Sequence, residues 1–404
     1  MIGAVYAGHP ELSRANWIEI NLDGIQHNLN VLKSYCAPGT KFLFPVKADA
    51  YGHGSLACSF AARQAGVDYL GVAHVPEAVM LRQYGMDLPI LVLGPILEPD
   101  FIFLEKFNLT GTLVDMKSAI ALNQWAQGRN KPKVHLKVDT GMGRYGFSLD
   151  QIDELIQVLQ MKNILVEGVF SHMPVSDTPN HPLTQQQIIV FKQLQQQLQA
   201  QTTSPLIFHL SNSAGVFNFC DASFDMVRPG LSLYGYNYDG SGLPHPDLIP
   251  LMKMKATVRQ ITEFPAGYGI SYGQTWIAPK PTRVAAVAIG YGDGFSRGHH
   301  MPGFLWIQNR PCPILGRICM DTTMVDISDL DVHLGDRVDV VDHEISPDIC
   351  FESMAVQHET IPYEMTCRVA RRLYRHYIYQ GQALRWDNLR HVLGVQDFNA
   401  NLNT

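Results

Sequence analysis

The chain predicts an α/β fold in two parts: a (β/α)8 TIM-like barrel followed by a mostly antiparallel β domain. Three observations carry this. At 404 residues the chain exceeds one typical core and suits a barrel of about 250 residues with a smaller companion. Up to about residue 230, short apolar runs alternate with segments of helical spacing. From about 251 the helical signal fades, and short runs punctuated by Gly, Pro and Asp take over.

The apolar runs are WIEINL (17–22), FLFPVK (42–47), YLGVA (69–73), ILVLG (90–94), LTGTLV (109–114), VHLKVD (134–139), LVEGVFS (165–171), LIFHLS (206–211) and DMVRPG (225–230). Strand–helix alternation of this length implies a parallel sheet, and eight units close a barrel. Nine runs are one too many. WIEINL alternates apolar and polar residues, whereas strands covered on both faces are continuously apolar. It is therefore assigned to the β domain. Between the runs, Leu22 to Cys36 has helical spacing. In the Gln-rich stretch Thr184–Gln201, Ile188, Phe191, Leu194 and Leu198 recur every three or four residues, which predicts a surface helix. Later runs such as ATVRQI, VAAVAIGY, TTMVDI and RVDVVD read as antiparallel strands, with helix returning near Phe351–Gln357. GYNYDGSGLPHPDLIP (235–250) marks the boundary. The expected domains are 23–245 for the barrel, and 1–22 with 246–404 for the β-rich part. The tail after Gln380 has no evident partner.

Hydrophobic residues make up 46% and charged residues 17%, which excludes disorder. The formal net charge is −6, and no Lys/Arg run is dense enough for nucleic acid or an anionic membrane. The richest basic cluster, RVARRLYRH (368–376), reads as a solvated or inter-subunit surface. Seven cysteines without CxxC or Cys/His ligand spacing argue against a metal site and for a reducing compartment. The first residues, MIGAVYAGHPELSR, lack the basic start and long apolar core of a signal peptide. No stretch reaches the roughly 18 apolar residues of a membrane span. The expected location is the cytoplasm.

Lys47 closes an apolar run and is followed by ADAYGHG. At the C-terminal end of a barrel strand, a partly desolvated lysine can form a covalent imine with a carbonyl compound. A lone lysine there reads more simply as solvated. Its context decides between the two. VKADAYGHG (46–54) resembles the lysine signature of the alanine racemase family. HLKVDTGMGRYGF (135–147), HLSNSAG (209–215), RPGLSLYG (228–235), GISYGQTW (269–276), GYGDGFSR (290–297) and GRICMD (316–321) follow in family order. One such block is compatible with chance; seven in order are not. The resemblance covers about residues 17 to 377. It implies a barrel plus a β domain, bound pyridoxal 5′-phosphate (PLP), and racemisation of a small amino acid.

The resemblance implies that Lys47 holds PLP covalently and is freed as a base when substrate displaces it. Tyr51 would line the phosphate; as a residue on its own it reads equally as a packed aromatic. Asn212 and Ser213 would serve the cofactor, Ser213 from a helix start where N–H groups attract anions. The backbone N–H groups of Gly230 and Leu231 and the hydroxyl of Tyr363 would join them. Arg228 would face the pyridine nitrogen where many PLP enzymes place a carboxylate, leaving that nitrogen unprotonated and the carbanion short-lived. By itself Arg228 reads as a loop salt bridge. A racemase needs a proton group on each face of the planar carbon. Lys47 serves one face, and the resemblance gives the other to Tyr272. His172, in SHMP, would assist or else be a satisfied core histidine; Met173 and Pro174 depart from the family pattern there. Arg144 would contact the substrate carboxylate and the cofactor. Lys137 matches a lysine that is carbamylated in many relatives and orients the arginine. Met320 would offer its backbone N–H to the substrate, with Asp321 supporting that loop, and Tyr291 would narrow the entrance. In the family Tyr272 and Met320 complete the partner subunit's site, which implies a homodimer.

The nearest alternative is a racemase of broader range, acting on serine or basic amino acids. A decarboxylase on the same scaffold is disfavoured by Arg228. A non-catalytic PLP carrier is disfavoured by the β domain that carries Tyr272.

Overall fold

The computed structural model describes residues 15–237, 239, 241–297, 303–384 and 386–395. The signal-peptide reading of residues 1–14 therefore lies outside the described residues. Two compact units emerge. One contains residues 25–50, 54–234 and 391–395; the other contains 15–24, 51–53 and 235–390.

The chain enters on β1 (Asn16–Asn21) and helix α1 (Asp23–Ser34). Eight strands then form a closed parallel barrel: β2 (Lys41–Pro45), β3 (Tyr69–Val72), β4 (Ile90–Pro95), β5 (Thr110–Leu113), β6 (Lys133–Lys137), β7 (Leu165–Phe170), β8 (Ile207–His209) and β9 (Met226–Val227). β9 closes the ring by pairing with β2, Lys41 opposite Met226 and Phe42 opposite Val227. The strands are short and almost wholly buried because the ring faces side chains on one side and helices on the other. Leu43, Leu91 and Met226 meet inside the barrel, flanked by Tyr69, Leu93 and Ile207, so the interior is packed and is not a pore.

The outer helices are α2 (Ser55–Ala65), α3 (Val75–Gln83), α4 (Phe101–Lys106), α5 (Met116–Trp125), α6 (Ile152–Leu159), α7 (Pro182–Gln199) and α8 (Ser213–Asn218). The Gln-rich stretch is α7. Its Ile188, Phe191, Leu194 and Leu198 are buried, and Phe191 meets Phe208 and Phe224 edge-on, with ring centroids 6.1 and 4.9 Å away.

The second unit is built on β10 (Met252–Phe264), β11 (Gly269–Ile270), β12 (Trp276–Ile277), β13 (Thr282–Val287), β14 (Phe304–Ile307), β15 (Arg310–Pro313), β16 (Thr323–Asp326), β17 (Arg337–Val341), β18 (Tyr374–Tyr379) and β19 (Gln382–Leu384), with helices α9 (Phe351–Gln357), α10 (Pro362–Arg368) and α11 (Trp386–Val392). The main sheet runs β15–β14–β17–β10–β1–β18–β19, and β13 joins β10 to β16. β1 does belong here: Ile18 and Ile20 are fully buried, alternating with half-buried neighbours. Three pairings differ from or add to the expectation. β1 and β18 run parallel within an otherwise antiparallel sheet. The tail after Gln380 has a partner, since β19 pairs with β18. The basic cluster is also more than a solvated face. Arg372 pairs with Asp293 and Asp321 at 2.7 and 2.6 Å, and Arg375 donates to the Gly52 carbonyl. Hydrophobic spacing could not report the β1–β18 pairing or the Arg372 and Arg375 contacts, because these are long-range; β18–β19 is a local hairpin whose second strand, three residues long, is too short to show a period. No helix among the described residues is long and apolar enough to cross a membrane.

Phe191→Ala should destabilise the chain by about 3–5 kcal/mol. Gln196→Ala, on the exposed face of the same helix, should stay within about 0.5 kcal/mol. Denaturant unfolding of the two variants checks the assignment of faces.

Candidate active site

Lys47 follows β2 directly, at the C-terminal end where barrel chemistry is placed. The backbone then does something unusual. Ala48, Asp49, Ala50 and Tyr51 all have positive φ, between 51° and 55°, forming a left-handed turn without a glycine. Each such residue costs about 1–2 kcal/mol, because Cβ crowds the following carbonyl. Local bonds offset part of this. The Ala50 N–H donates to the Val46 carbonyl, and the Asp49 carboxylate accepts from the Ser55 N–H at 2.8 Å. Strain held at a functional lysine is where fixed geometry matters more than local stability.

Five cationic or basic groups from four strand ends share one neighbourhood in the barrel unit. Burial lowers the His172 pKa well below its usual value, and Arg228, Arg144, Lys137 and Lys47 lower it further in that order. Arg228 is buried, and both terminal nitrogens of its planar fork are engaged. It donates to the Ser171 and Leu210 carbonyls at 2.6 and 3.0 Å, and it meets His209 Nδ1 at 2.9 Å and His172 Nδ1 at 3.3 Å. These neutral partners stand where Arg228 read by itself would have a loop salt bridge. Burial, reinforced by Arg144, brings the Arg228 pKa down to about 9. Lys137, at the end of β6, is buried and donates to the Val138 carbonyl. Burial and Arg228 bring its pKa down to about 8, with Asp139 opposing.

Arg144 is placed by its loop. The Asp139 carboxylate accepts from the N–H groups of Gly141, Met142 and Arg144 at 2.9, 2.7 and 3.0 Å. Burial pushes Asp139 up, but these backbone donors outweigh it and leave its pKa below the usual value. Ser213 opens α8, capped by Asn212, whose side chain accepts from the Gly215 N–H. The Ser213 hydroxyl accepts from the Ser232 N–H at 3.2 Å, which joins α8 to the turn that contains Gly230 and Leu231. Met173 and Pro174, the departure in SHMP, leave this arrangement intact: Asn212 donates to the Met173 carbonyl at 3.1 Å.

Two residues escaped the sequence reading. His135 and His209, both fully buried, are linked by a 2.8 Å ring-nitrogen contact, and His209 in turn meets Arg228. Both pKa values fall, His135 to about 3, because burial and Arg228 disfavour a second charge. The available signal was that each opens a family block, HLKVD and HLSNS. Buried histidines on strands pass for core residues unless the arginine beside them is known.

In the other unit, Tyr51 is buried against Tyr363, with ring centroids 5.6 Å apart, and burial followed by Tyr363 raises the Tyr51 pKa well above its usual value. Gly52 is glycine for a steric reason: its φ is 82°, and a Cβ would lie 2.3 Å from the Thr366 carbonyl. Tyr272 stands at the tip of the β11–β12 hairpin and is 65% exposed. Ser271 and Gly273 flank it with φ of 63° and 71°, which turns the tip sharply. Tyr291 and Met320 sit on two loops stitched together by Tyr291 N–H to the Cys319 carbonyl and Gly292 N–H to the Met320 carbonyl. Asp293 and Asp321 hold those loops to Arg372. The support expected of Asp321 is thus an ion pair. Among the described residues, no group of His, Cys, Asp and Glu could hold a metal ion.

The donor set therefore suits an anionic group bearing a carbonyl. It combines a lysine amine at a strand end, an excess of buried positive charge, and hydroxyl and N–H donors at the first turn of a helix. Such a barrel, joined to a β domain, defines a class of lysine-dependent barrel enzymes. Residues 20–238 match the model of the alanine racemase N-terminal domain, and 251–377 match that of its C-terminal domain. The chain is 35% identical to the alanine racemase of Halothermothrix orenii over 91% of this chain and 97% of that one. It is 37% identical to that of Treponema denticola over 90% and 98%. Its fold is similar to the alanine racemase structure from Clostridium difficile 630, with TM-score 0.84 and 33% identity, covering 93% and 98% of the two chains. It is also similar to the Bartonella henselae enzyme, described with covalently bound pyridoxal phosphate, with TM-score 0.80 and 28% identity over 91% and 100%. The chain belongs to the alanine racemase family.

The buried histidines make stability depend on pH. His135, His172 and His209 are neutral when folded, with pKa below the usual 6.5. Below about pH 6.5 the unfolded chain binds protons that the folded chain refuses. Their contribution is therefore complete above that pH and is lost as pH falls below it, for His135 down to about 3. Each should cost about 1.4 kcal/mol per pH unit within the window. The thermal midpoint should fall steadily from pH 7 to pH 5, and His135→Asn should flatten that slope.

Proposed function

We propose that this protein interconverts L- and D-alanine with PLP, using Lys47 and Tyr272 on opposite faces of the substrate. The observation that supports the reading is Lys47 at a barrel strand end with buried Arg228 in the same neighbourhood; Arg228 would face the pyridine nitrogen, where a carboxylate would be needed for a strong electron sink. When bound, PLP would acidify the Cα–H bond of the amino acid by withdrawing electrons from it.

The protein's own residues supply the rest. Lys47 would hold the cofactor covalently, and its freed amine would take or return a proton at Cα on one face. Tyr272 would do the same on the other face through its phenolic oxygen. Arg228 can donate hydrogen bonds but cannot accept a proton from the pyridine ring, which keeps negative charge at Cα and favours prompt reprotonation there. His172, in contact with Arg228, would orient it. Ser213, Asn212, Tyr51, Tyr363 and the N–H groups of Gly230 and Leu231 would hold the phosphate by hydrogen bonds. Arg144 and the Met320 N–H would hold the substrate carboxylate, and Tyr291 would limit entry to small side chains.

Lys137 is proposed to carry a carbamate. Its lowered pKa, about 8, leaves a useful fraction of neutral amine, whose nitrogen can bond to the carbon of CO2 with release of one proton. The product would replace a charge that repels Arg144 with one that attracts it. The exposure of Tyr272 and Met320 in a single chain supports a homodimer in which these two residues complete the partner's site. We also propose the domain division 23–245 against 1–22 with 246–404, a cytoplasmic location, and a role in D-alanine supply.

Lys47→Ala should abolish covalent cofactor binding and nearly all activity. Tyr272→Phe should keep the cofactor and lose about 100-fold or more in proton removal from L-alanine, measured by Cα deuterium exchange. Wild-type exchange from both isomers in that variant would end the two-base scheme. Faster exchange with serine than with alanine would favour the broader-range racemase. Carbon-13 bicarbonate should give a carbamate resonance that is absent in Lys137→Ala.

A further inference from the structure

A side chain from outside the left-handed turn after Lys47 bonds to its backbone. Glu77, in the first turn of α3, directs one carboxylate oxygen to the Ala48 N–H at 2.8 Å. Its other oxygen accepts from the Ala73 N–H at 2.7 Å and from the His74 N–H at 3.2 Å. The carboxylate thus ties the residue next to Lys47 to the loop that leaves β3. Capping α3 would require only the His74 contact, so helix capping leaves the other two bonds unexplained.

We propose that Glu77 is a positioning residue for Lys47: by accepting three backbone N–H groups, it holds the strained turn in the one conformation that aims the lysine amine. This deepens the functional reading above and rests on it. The chemistry requires an acceptor on both oxygens. A glutamine has one carbonyl oxygen, and its NH2 group would face donors that it cannot bond. An isosteric change that preserves packing therefore breaks the clamp. The turn has no glycine, and glycine is the residue that would keep positive φ without such a clamp.

The test uses the PLP-loaded protein. Borohydride reduction followed by peptide mass spectrometry measures the fraction of Lys47 that carries cofactor. Hydrogen exchange of the peptide 46–54 reports on the Ala48 amide. Wild type should be labelled at Lys47 and protected at Ala48. Glu77→Gln should lose that protection and lower the labelled fraction. Its kcat should fall by about 10- to 100-fold, as expected for a small misplacement of a reacting group, with KM within about twofold. Adding Ala48→Gly to Glu77→Gln should restore part of both labelling and kcat. An unlabelled Lys47 in wild type would defeat the functional reading itself. A labelled wild type whose Glu77→Gln variant has the same labelling and kcat would overturn the clamp alone. So would failure of Ala48→Gly to restore anything. If Glu77→Gln does not fold, an unprotected Ala48 amide in wild type overturns the proposal without any variant.

Discussion

Closure of the barrel by the β2–β9 pairing is the constraint on which the site depends. Lys47 follows β2, Lys137 ends β6, His172 follows β7, Asn212 and Ser213 follow β8, and Arg228 follows β9. These residues are separated by up to about 180 positions in sequence, and parallel strands send all their C-terminal ends to one rim. Opening the ring between β9 and β2 would separate Arg228 from Lys47. The packed interior matters for the same reason, since a rim can be precise only when the strands below it cannot slide.

Positive charge concentrated on that rim is costly, and the structure shows how it is accommodated. Arg228 is surrounded by carbonyl oxygens and neutral imidazoles, so its hydrogen bonds are satisfied while its charge is not cancelled. His135, His172 and His209 remain neutral because a further proton beside Arg228 is disfavoured. Asp139 is the nearby carboxylate, but its oxygens are occupied with the backbone of the Arg144 loop. The site is thus prepared for an anion that the chain does not itself provide.

The β domain follows a different logic. Its loops present Tyr272, Tyr291 and Met320 outward, and buried Asp293 with exposed Arg372 and Asp321 ties the loops of the latter two. Arg372 joins Asp293 to Asp321, while Gly290 lets one loop lie against the other, since a Cβ there would come within 2.4 Å of the Cys319 and Met320 carbonyls. Deeper in the sheet, Lys255 is buried between Asp339 and Asp342, a pairing that orders β10 and β17. Breaking such a pair on one side strands a charge, so these contacts specify the arrangement more than they stabilise it.

The sequence by itself determined the class of fold, the exclusion of WIEINL from the barrel, the buried face of the Gln-rich helix, and the motif residues from Lys47 to Tyr363. Each is written locally, in a periodicity of two or 3.6 residues or in a contiguous block that resembles a family. Tertiary structure alone decided the parallel β1–β18 pairing, the partner of the tail, and the ion pairs of a basic cluster that looked solvated. It also decided the histidine chain behind Arg228, the left-handed turn at Lys47, and the reach of Glu77 to that turn. Most of these join residues distant in sequence, or depend on a backbone conformation that surrounding contacts impose against local preference; the tail's pairing is a local hairpin whose second strand is too short to show a period. An Ala-Asp-Ala-Tyr stretch carries no local mark of positive φ, because the energy that holds it there comes from elsewhere in the fold.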